Sequence, residues 1–518
     1  MTEPAHPWDR RLGFWWIAQD HPEAPAVIES PDGPRTYGEL AGDAHQLVHL
    51  FRSLGAEPGR PVGVMADNGN TLVEASLACH ESGLHLIPLN THLTGHELQA
   101  ILEHSGARVL VIEARLVPLL ADVDVDALGV AVLSIGATDG FTSLAEARAD
   151  HPRSEPRDRS PGGLFVYTSG TTGKPKGIRR PLPEGEVGEV ADAAAVFGRA
   201  FDFRPFEGPM LVSTGMFHGG SHAYFMGGLN VGHALVIMAR FDAESALGLI
   251  ERHRITSGYM VPTQFHRFLQ LPEEVRARHD LSSLHSIVHS AAPCPRPVKE
   301  QMMAWWGPVI WETYGGMEGA ATIAKPHAWL AKPGTVGRAV RGVHLAILDD
   351  AGNEVPPGEV GNIYLDNGVG FRYHDDPEQT RSVHQGERFS LGDVGYLDDD
   401  GFLFIADRAK DMIITGGVNV YPAEVEGVLL THPAVHDVGV IGVPDPDWGE
   451  SVAAVVQLVA GRTFDDDLEV ELAAHCRSRL ASHKVPRRWV EADDLPRTDA
   501  GKLAKRKLRD DLLAAGRL

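Results

Sequence analysis

Short runs of Val, Ile and Leu alternate with stretches of helical periodicity through the first part of the chain. Residues 62–65, 86–89 and 109–112 read as strands, and 71–82 and 94–104 read as the helices between them. Apolar runs of this length suit strands buried on both faces, and the alternation needs crossover connections, so the pattern predicts a mostly parallel sheet. A second series follows at 210–213, 235–238, 257–261 and 286–289. A β-rich piece is expected from about 335 to 407. Beyond it the pattern predicts a separate unit with strands at 438–443 and 451–458 and helices at 422–431 and 466–480. Residues 146–163, rich in Arg, Asp, Pro and Ser, read as a connection. The expected fold class is α/β: a large N-terminal domain of two related α/β subdomains plus a β-rich subdomain, and a small α/β C-terminal domain.

A chain of 518 residues exceeds what one core supports, which agrees with several domains. The formal charge of -23 argues against nucleic acid as a partner and requires any anionic ligand to be held by local lysines or a metal. Cys79, Cys294 and Cys476 are odd in number and far apart, neither a disulfide framework nor a metal knuckle, so a reducing cytoplasm fits best. Near the N-terminus, Trp15 and Trp16 sit in a short apolar patch broken by Asp20, without a signal-peptide core. No stretch reaches the roughly 20 apolar residues of a membrane span. A cytoplasmic localisation is expected.

Residues 167–177 read YTSGTTGKPKG. The hydroxyls of Tyr167, Thr168, Ser169, Thr171 and Thr172, with Gly170, Gly173 and Gly177, can bring side chains and backbone amides onto an anion, while Lys174 and Lys176 add charge. The preceding apolar run Leu164 to Val166 predicts a buried strand that delivers the loop to a fixed place. The pattern is not GxxxxGK[ST]: only two residues separate Gly170 from Gly173, and Pro175 follows Lys174.

With that loop, TYGEL at 36–40, LIPLNTHLTGHEL at 86–98, HSAAP at 289–293, YGGMEG at 314–319, the run from Ser390 to Glu426 and PRTDAGKLAKRKLR at 496–509, the chain resembles the adenylate-forming superfamily. That superfamily holds acyl-CoA synthetases, firefly luciferases and the adenylation domains of peptide synthetases. The likeness runs along nearly the whole chain and is strongest to bacterial acyl-CoA synthetases. It implies ATP, Mg2+ and CoA as the cofactor and co-substrates, a small-molecule acid as the substrate, and a reaction in two halves: acyl-AMP formation, then thioester formation. The resemblance places ATP phosphates on Thr168, Ser169, Gly170, Thr171, Thr172, Lys174 and Lys176. It places adenine between Tyr314, with Gly315, and Ala291, Ala292 and Pro293, the ribose on Asp393 and Arg408, and Mg2+ on Glu318. Lys502 is implied as the lysine that reaches the α-phosphate and carboxylate, with Glu318, Thr172 and His218 as further catalytic residues. Gly416 and Gly417 are implied to line a pantetheine tunnel, although a Gly-Gly pair alone reads as a hairpin turn. The implied domains are 1–407, a hinge at 408–410 that pivots on Lys410, and a mobile C-terminal domain at 411–518. A homodimer is compatible with this reading.

His218 and His222 are four residues apart, a spacing that could bind a metal on a helix, but Gly219 and Gly220 argue against a regular helix there. The two histidines, with Gly315, Gly316 and Met317, are expected around the acid. The family pattern YGxTE has Thr where this chain has Met317, which lacks a hydroxyl to donate to an oxygen. That departure suggests an unusual acid or acceptor, and the alternative reading is an enzyme that activates nitrite to diazotise an aryl amine. A third reading, a silent nucleotide-binding scaffold, conflicts with the retention of Lys174, Lys176, Glu318, Asp393, Arg408 and Lys502.

Overall fold

The computed structural model describes residues 7–168, 176–368, 370–416, 418–498 and 502–518. The chain divides into two compact units. One comprises the chain up to Met260 with Leu271–Val288 and Phe371–Thr380; the other comprises Val261–Gln270, His289–Gly370 and Arg381–Leu518.

In the first unit a seven-stranded sheet holds the earliest predicted strands, observed as Pro61–Met65, His85–Pro88 and Val109–Glu113. Pro61–Met65 pairs in parallel with both others and is buried at every position, which is why its sequence is apolar without alternation. Met210–Val212 lies in a second sheet, parallel to Leu235–Ile237 and to Ser257–Met260. The helices match the predicted ones within a few residues, at Asn70–Glu81 and Gly95–Ser105.

Two of the recognised motifs have a local physical meaning. In TYGEL, Thr36 Oγ1 accepts from the Glu39 amide at 3.2 Å while the Thr36 amide donates to Glu39 Oε2 at 2.8 Å. LTGHEL repeats this with Thr94 and Glu97. Both are capping boxes that satisfy otherwise orphaned amides at a helix start. Thr94→Ala is expected to lose about 1 kcal/mol of local stability, read as faster amide exchange in the first turn of Gly95–Ser105.

The stretch 146–163 is more than a connection. Arg148 joins Asp43 and Glu74, each at 2.8 Å, and Arg153 joins Asp43 at 2.6 Å. Arg159 reaches the fully buried Glu81 at 3.0 Å and lies over the Trp15 ring. Its polar composition concealed a set of arginines that neutralise carboxylates buried between helices, where an unpaired charge would be costly.

The second unit contains the hairpin Ile310–Gly316 and Gly319–Ala324, an antiparallel sheet built on Gly361–Asp366 and Arg388–Leu397, and a C-terminal sheet. In the last, Gly449–Leu458 is flanked by Val435–Asp445 and Arg488–Glu491. Val452, Ala454 and Val456 face one core with Val425, Leu429 and Leu472. Ala453 and Val455 face another with Val490, Leu508 and Leu512. Period-two alternation across a sheet covered on both sides accounts for the continuous apolar run. No described helix is long and apolar enough to cross a membrane.

Candidate nucleotide and acid site

The strand Gly163–Thr168 forms an antiparallel ladder with Lys176–Arg179, with Tyr167 opposite Gly177 and Thr168 opposite Lys176. The ladder fixes both ends of the glycine-rich loop. Ser169, Gly170, Thr171, Thr172, Gly173 and Lys174 lie outside the described residues. Tyr167 departs from expectation: its hydroxyl is hydrogen-bonded to His104 Nδ1 at 2.7 Å, and its ring stacks on Phe165. The group anchors the loop's entry rather than offering its hydroxyl to an anion. Gly177 is required by close packing, since a Cβ there would meet the Phe165 ring at 2.7 Å. Lys176 is half-buried with its ammonium 5.4 Å from the Tyr373 ring centre.

His218 precedes a regular helix, Gly219–Asn230, so the two glycines do not break it. Packing explains why: a Cβ on Gly220 would meet the Tyr259 hydroxyl at 2.8 Å. His222 is fully buried one turn on, with Nε2 3.0 Å from Ser76 Oγ and its ring edge-on to His80. Burial, then the neighbouring His80, holds the His222 pKa well below the ordinary histidine value, so the ring is neutral at pH 7. Among the described residues no group of three His, Cys, Asp or Glu side chains could hold a metal ion.

In the second unit, Tyr314 and Asp393 come together from two different sheets. Tyr314 donates to Asp393 Oδ2 at 2.8 Å, and Arg408 Nε lies 3.0 Å from Asp393 Oδ1. Asp393 and Arg408 are direct cross-strand partners on Arg388–Leu397 and Leu403–Arg408, which sets their pairing by register. Asp393 is 5% exposed. Burial raises its pKa, against the opposing pull of Arg408, Tyr314 and Lys502.

Ala291, at the head of the other expected adenine wall, has φ 74°, a left-handed conformation unusual for a residue with a Cβ. Ala291 and Ala292 are half-buried and Pro293 is exposed. Met317 and Glu318 form the two-residue turn of the hairpin, with Gly316 opposite Gly319. Gly315 allows the strands to close: a Cβ there would meet the Gly319 carbonyl oxygen at 2.6 Å.

Lys502 has an exposed side chain. Desolvation by the surrounding protein, then the charge of Arg408, lowers its pKa, while Asp393 and Glu318 act the other way. Its field therefore reaches the carboxylates of Asp393 and Glu318 together. The neighbouring cations are engaged elsewhere, Lys505 with Glu426 at 2.9 Å and Lys507 with Asp511 at 2.7 Å. Lys410 is exposed in the short turn Ala409–Asp411.

Gly416, with φ 57°, follows Ile413–Thr415 in a hairpin whose other arm is Val418–Val420; Gly417 lies outside the described residues. Gly416 thus stands at the end of one hairpin arm. A Cβ on Gly416 would meet the Trp448 ring at 2.5 Å, and the Arg487 guanidinium lies over that ring at 4.2 Å. Sequence reasoning passed over Trp448 and Arg487. Trp448 is 43% exposed beside a glycine turn, and nothing in the sequence marked that exposure.

The donor set fits a nucleoside: an aromatic face at Tyr314, small residues at 291 and 292, and a carboxylate whose oxygens each keep a lone pair for ribose. One carboxylate, Glu318, suits Mg2+, which takes most of its remaining oxygens from phosphates and water.

Comparison with known proteins defines the class as adenylate-forming acid ligases, enzymes that use ATP. The chain belongs to the AMP-binding enzyme family, which it matches over residues 14–370, with the AMP-binding enzyme C-terminal domain matched over 424–502. It is 32% identical over 505 residues to a fatty acid–acyl-carrier-protein ligase of Streptomyces coeruleorubidus, covering 95% of this chain and 94% of that one. It is 31% identical over 503 residues to a long-chain-fatty-acid–CoA ligase of Mycobacterium tuberculosis, covering 95% and 96%. Among solved structures, an amide bond synthetase of Marinactinospora thermotolerans matches with TM-score 0.83 at 28% identity, covering 96% of this chain and 99% of that one. An anthranilate CoA ligase in complex with anthranoyl-AMP matches with TM-score 0.86 at 26% identity, covering 99% and 100%.

Proposed function

We propose that this protein is an AMP-forming acid–CoA ligase. The observation that carries the proposal is the grouping of Tyr314, Asp393, Arg408, Glu318 and Lys502 by hydrogen bonds and charge. A carboxylate oxygen of the acid attacks the α-phosphorus of ATP in line; the bond to the bridging oxygen breaks and pyrophosphate leaves. The thiol sulfur of CoA then attacks the acyl carbon of the adenylate, the bond to the phosphate oxygen breaks, AMP leaves, and the thiol proton passes to solvent.

The chain's part is positioning and charge placement. Asp393 and Arg408 orient the ribose, Tyr314 and the 291–293 loop hold adenine, and the 168–176 loop holds the phosphates through Lys174, Lys176 and the hydroxyls that include Thr172. Lys502 sets positive charge where the pentacoordinate phosphate gains negative charge. Mg2+, when bound to Glu318 and the phosphates, supplies further charge neutralisation. His218, Gly315, Gly316 and Met317 are assigned to the acid, whereas His222, fully buried against Ser76 and His80, serves packing instead. A swing of residues 411–518 about Lys410 would exchange Lys502 for the Gly416–Gly417 turn, letting one site serve both halves.

Met317 favours a second reading, activation of an unusual oxyanion such as nitrite for diazotisation of an aryl amine, or transfer to an acceptor other than CoA. Relatives named for a carrier protein and for amide bonds keep the acceptor open. Product mass spectrometry with ATP and Mg2+, with and without CoA, across fatty, alicyclic and aryl acids, and with nitrite plus an aminoaryl acid, separates these. A CoA thioester supports the ligase; a diazo product without thioester sinks it. Met317→Thr is expected to raise the adenylation rate on a simple carboxylic acid by about tenfold, the worth of one added hydrogen bond to a charged oxygen. Unchanged rate and specificity in steady-state kinetics would remove Met317 from the argument.

A further inference from the structure

Beneath the expected adenine pocket lies a buried ion pair that the reaction does not use. Lys299, fully buried on the helix Arg296–Trp306, places Nζ 2.6 Å from Glu312 Oε2. His289 Nε2 is 3.4 Å from the same oxygen, and the Lys299 ammonium lies 4.7 Å from the centre of the Trp329 ring. Phe265 packs edge-on against the His289 ring at 5.4 Å, so the cluster is enclosed by aromatic side chains. Burial would raise the Glu312 pKa, but Lys299 and His289 outweigh it and hold the group ionised, at about 2.

Such a pair is a weak source of stability, because apolar residues of similar volume fill a buried site as well or better. What it supplies is direction. His289 is the last residue of Ser286–His289 and is followed two residues later by Ala291 with its left-handed φ. Glu312 stands two residues before Tyr314 on Ile310–Gly316, hence on the same face of that strand. The cluster therefore ties the strand that carries the aromatic wall to the root of the loop that carries the opposite wall. Lys299 holds Glu312 from the helix that follows the loop.

We infer that Lys299, Glu312 and His289 are positioning residues that set the spacing of the two adenine walls, and through it the enzyme's affinity and selectivity for ATP. The inference rests on the adenine site proposed above. It is tested by calorimetric binding of ATP and GTP, without turnover, so the result stands whether or not any acid is activated. Melting temperature and the KM for the acid are read alongside.

Glu312→Gln is expected to weaken ATP by about tenfold and to narrow the ATP-over-GTP preference, since small displacements of a binding wall are expensive. The KM for the acid and kcat at saturating ATP should stay within about twofold. Loss of one partner alone endangers folding, so the double variant Lys299→Met with Glu312→Leu is the second arm. It should melt near the wild-type temperature while ATP affinity and selectivity stay impaired. Full recovery of ATP affinity in the double variant, or an unchanged ATP-to-GTP ratio in a folded Glu312→Gln, overturns the inference.

Discussion

Replacing Lys502 by alanine is expected to slow acyl-adenylate formation by about 10²–10³-fold, the usual loss when a donor to developing transition-state charge is removed. Thioester formation from preformed adenylate should change by less than about threefold. The contrast follows from where the cations go. Of the basic run 502–509, Lys505 is committed to Glu426 and Lys507 to Asp511, whereas Lys502 senses Arg408, Asp393 and Glu318. Its backbone is held, with the Thr498 amide donating to the Lys502 carbonyl at 2.8 Å and the Lys502 amide donating to Thr498 Oγ1 at 3.2 Å. A fixed backbone with an exposed side chain suits a charge that must reach a substrate. Because desolvation and Arg408 lower its pKa, the ammonium is lost at a lower pH than for free lysine. The alkaline limb of kcat/KM for adenylation should begin correspondingly early and be absent in Lys502→Ala. Pyrophosphate exchange and single-turnover thioester formation measure the two halves, and equal loss of both would remove Lys502 from its role.

Elements with one strong local pattern were legible in the sequence. The strands Pro61–Met65 and Gly449–Leu458 are buried on both faces, so their apolar runs marked them. Helices whose face is polar for a structural reason were harder to see. Tyr37–Ser53 buries Asp43 and Gln46, whose partners include Arg148, Arg153 and the His151 carbonyl, and His45, which pairs with Glu81, and no local pattern announces so distant a partner. The same reason hid the worth of 146–163. At the site, the family resemblance pointed to Asp393, Arg408 and Tyr314, and their contacts follow from register and a short hydrogen bond. Neither the loop's composition nor the resemblance could say that Tyr167 turns to His104, because that choice depends on a helix more than sixty residues earlier. Nor could either distinguish Lys299 from a surface lysine: a charge is expected outside unless its partner is known to be inside.

Asp393→Asn is expected to raise the KM for ATP by about tenfold, and Asp393→Ala by about a hundredfold, since each hydrogen bond between the carboxylate and a ribose hydroxyl contributes about 1.5–3 kcal/mol. Each oxygen of Asp393 already has one protein donor, Tyr314 on Oδ2 and Arg408 on Oδ1, and each keeps a second lone pair. Asparagine preserves one such oxygen and alanine none. The effect on stability should run the other way. The folded pKa of Asp393 is raised, chiefly by burial, so its ionised form is a net cost to the folded state above that pKa, and the cost is relieved as pH falls through it. Arg408 has a side chain 42% exposed and can be satisfied by water when the charge opposite is gone. Asp393→Asn should therefore melt at or above the wild-type temperature at neutral pH while binding ATP more weakly, the signature of a group kept for its ligand at the expense of the fold. Calorimetric ATP binding paired with thermal denaturation reads both quantities on one preparation. A parallel fall in melting temperature and affinity would instead make Asp393 a structural carboxylate that ties two strands to Tyr314.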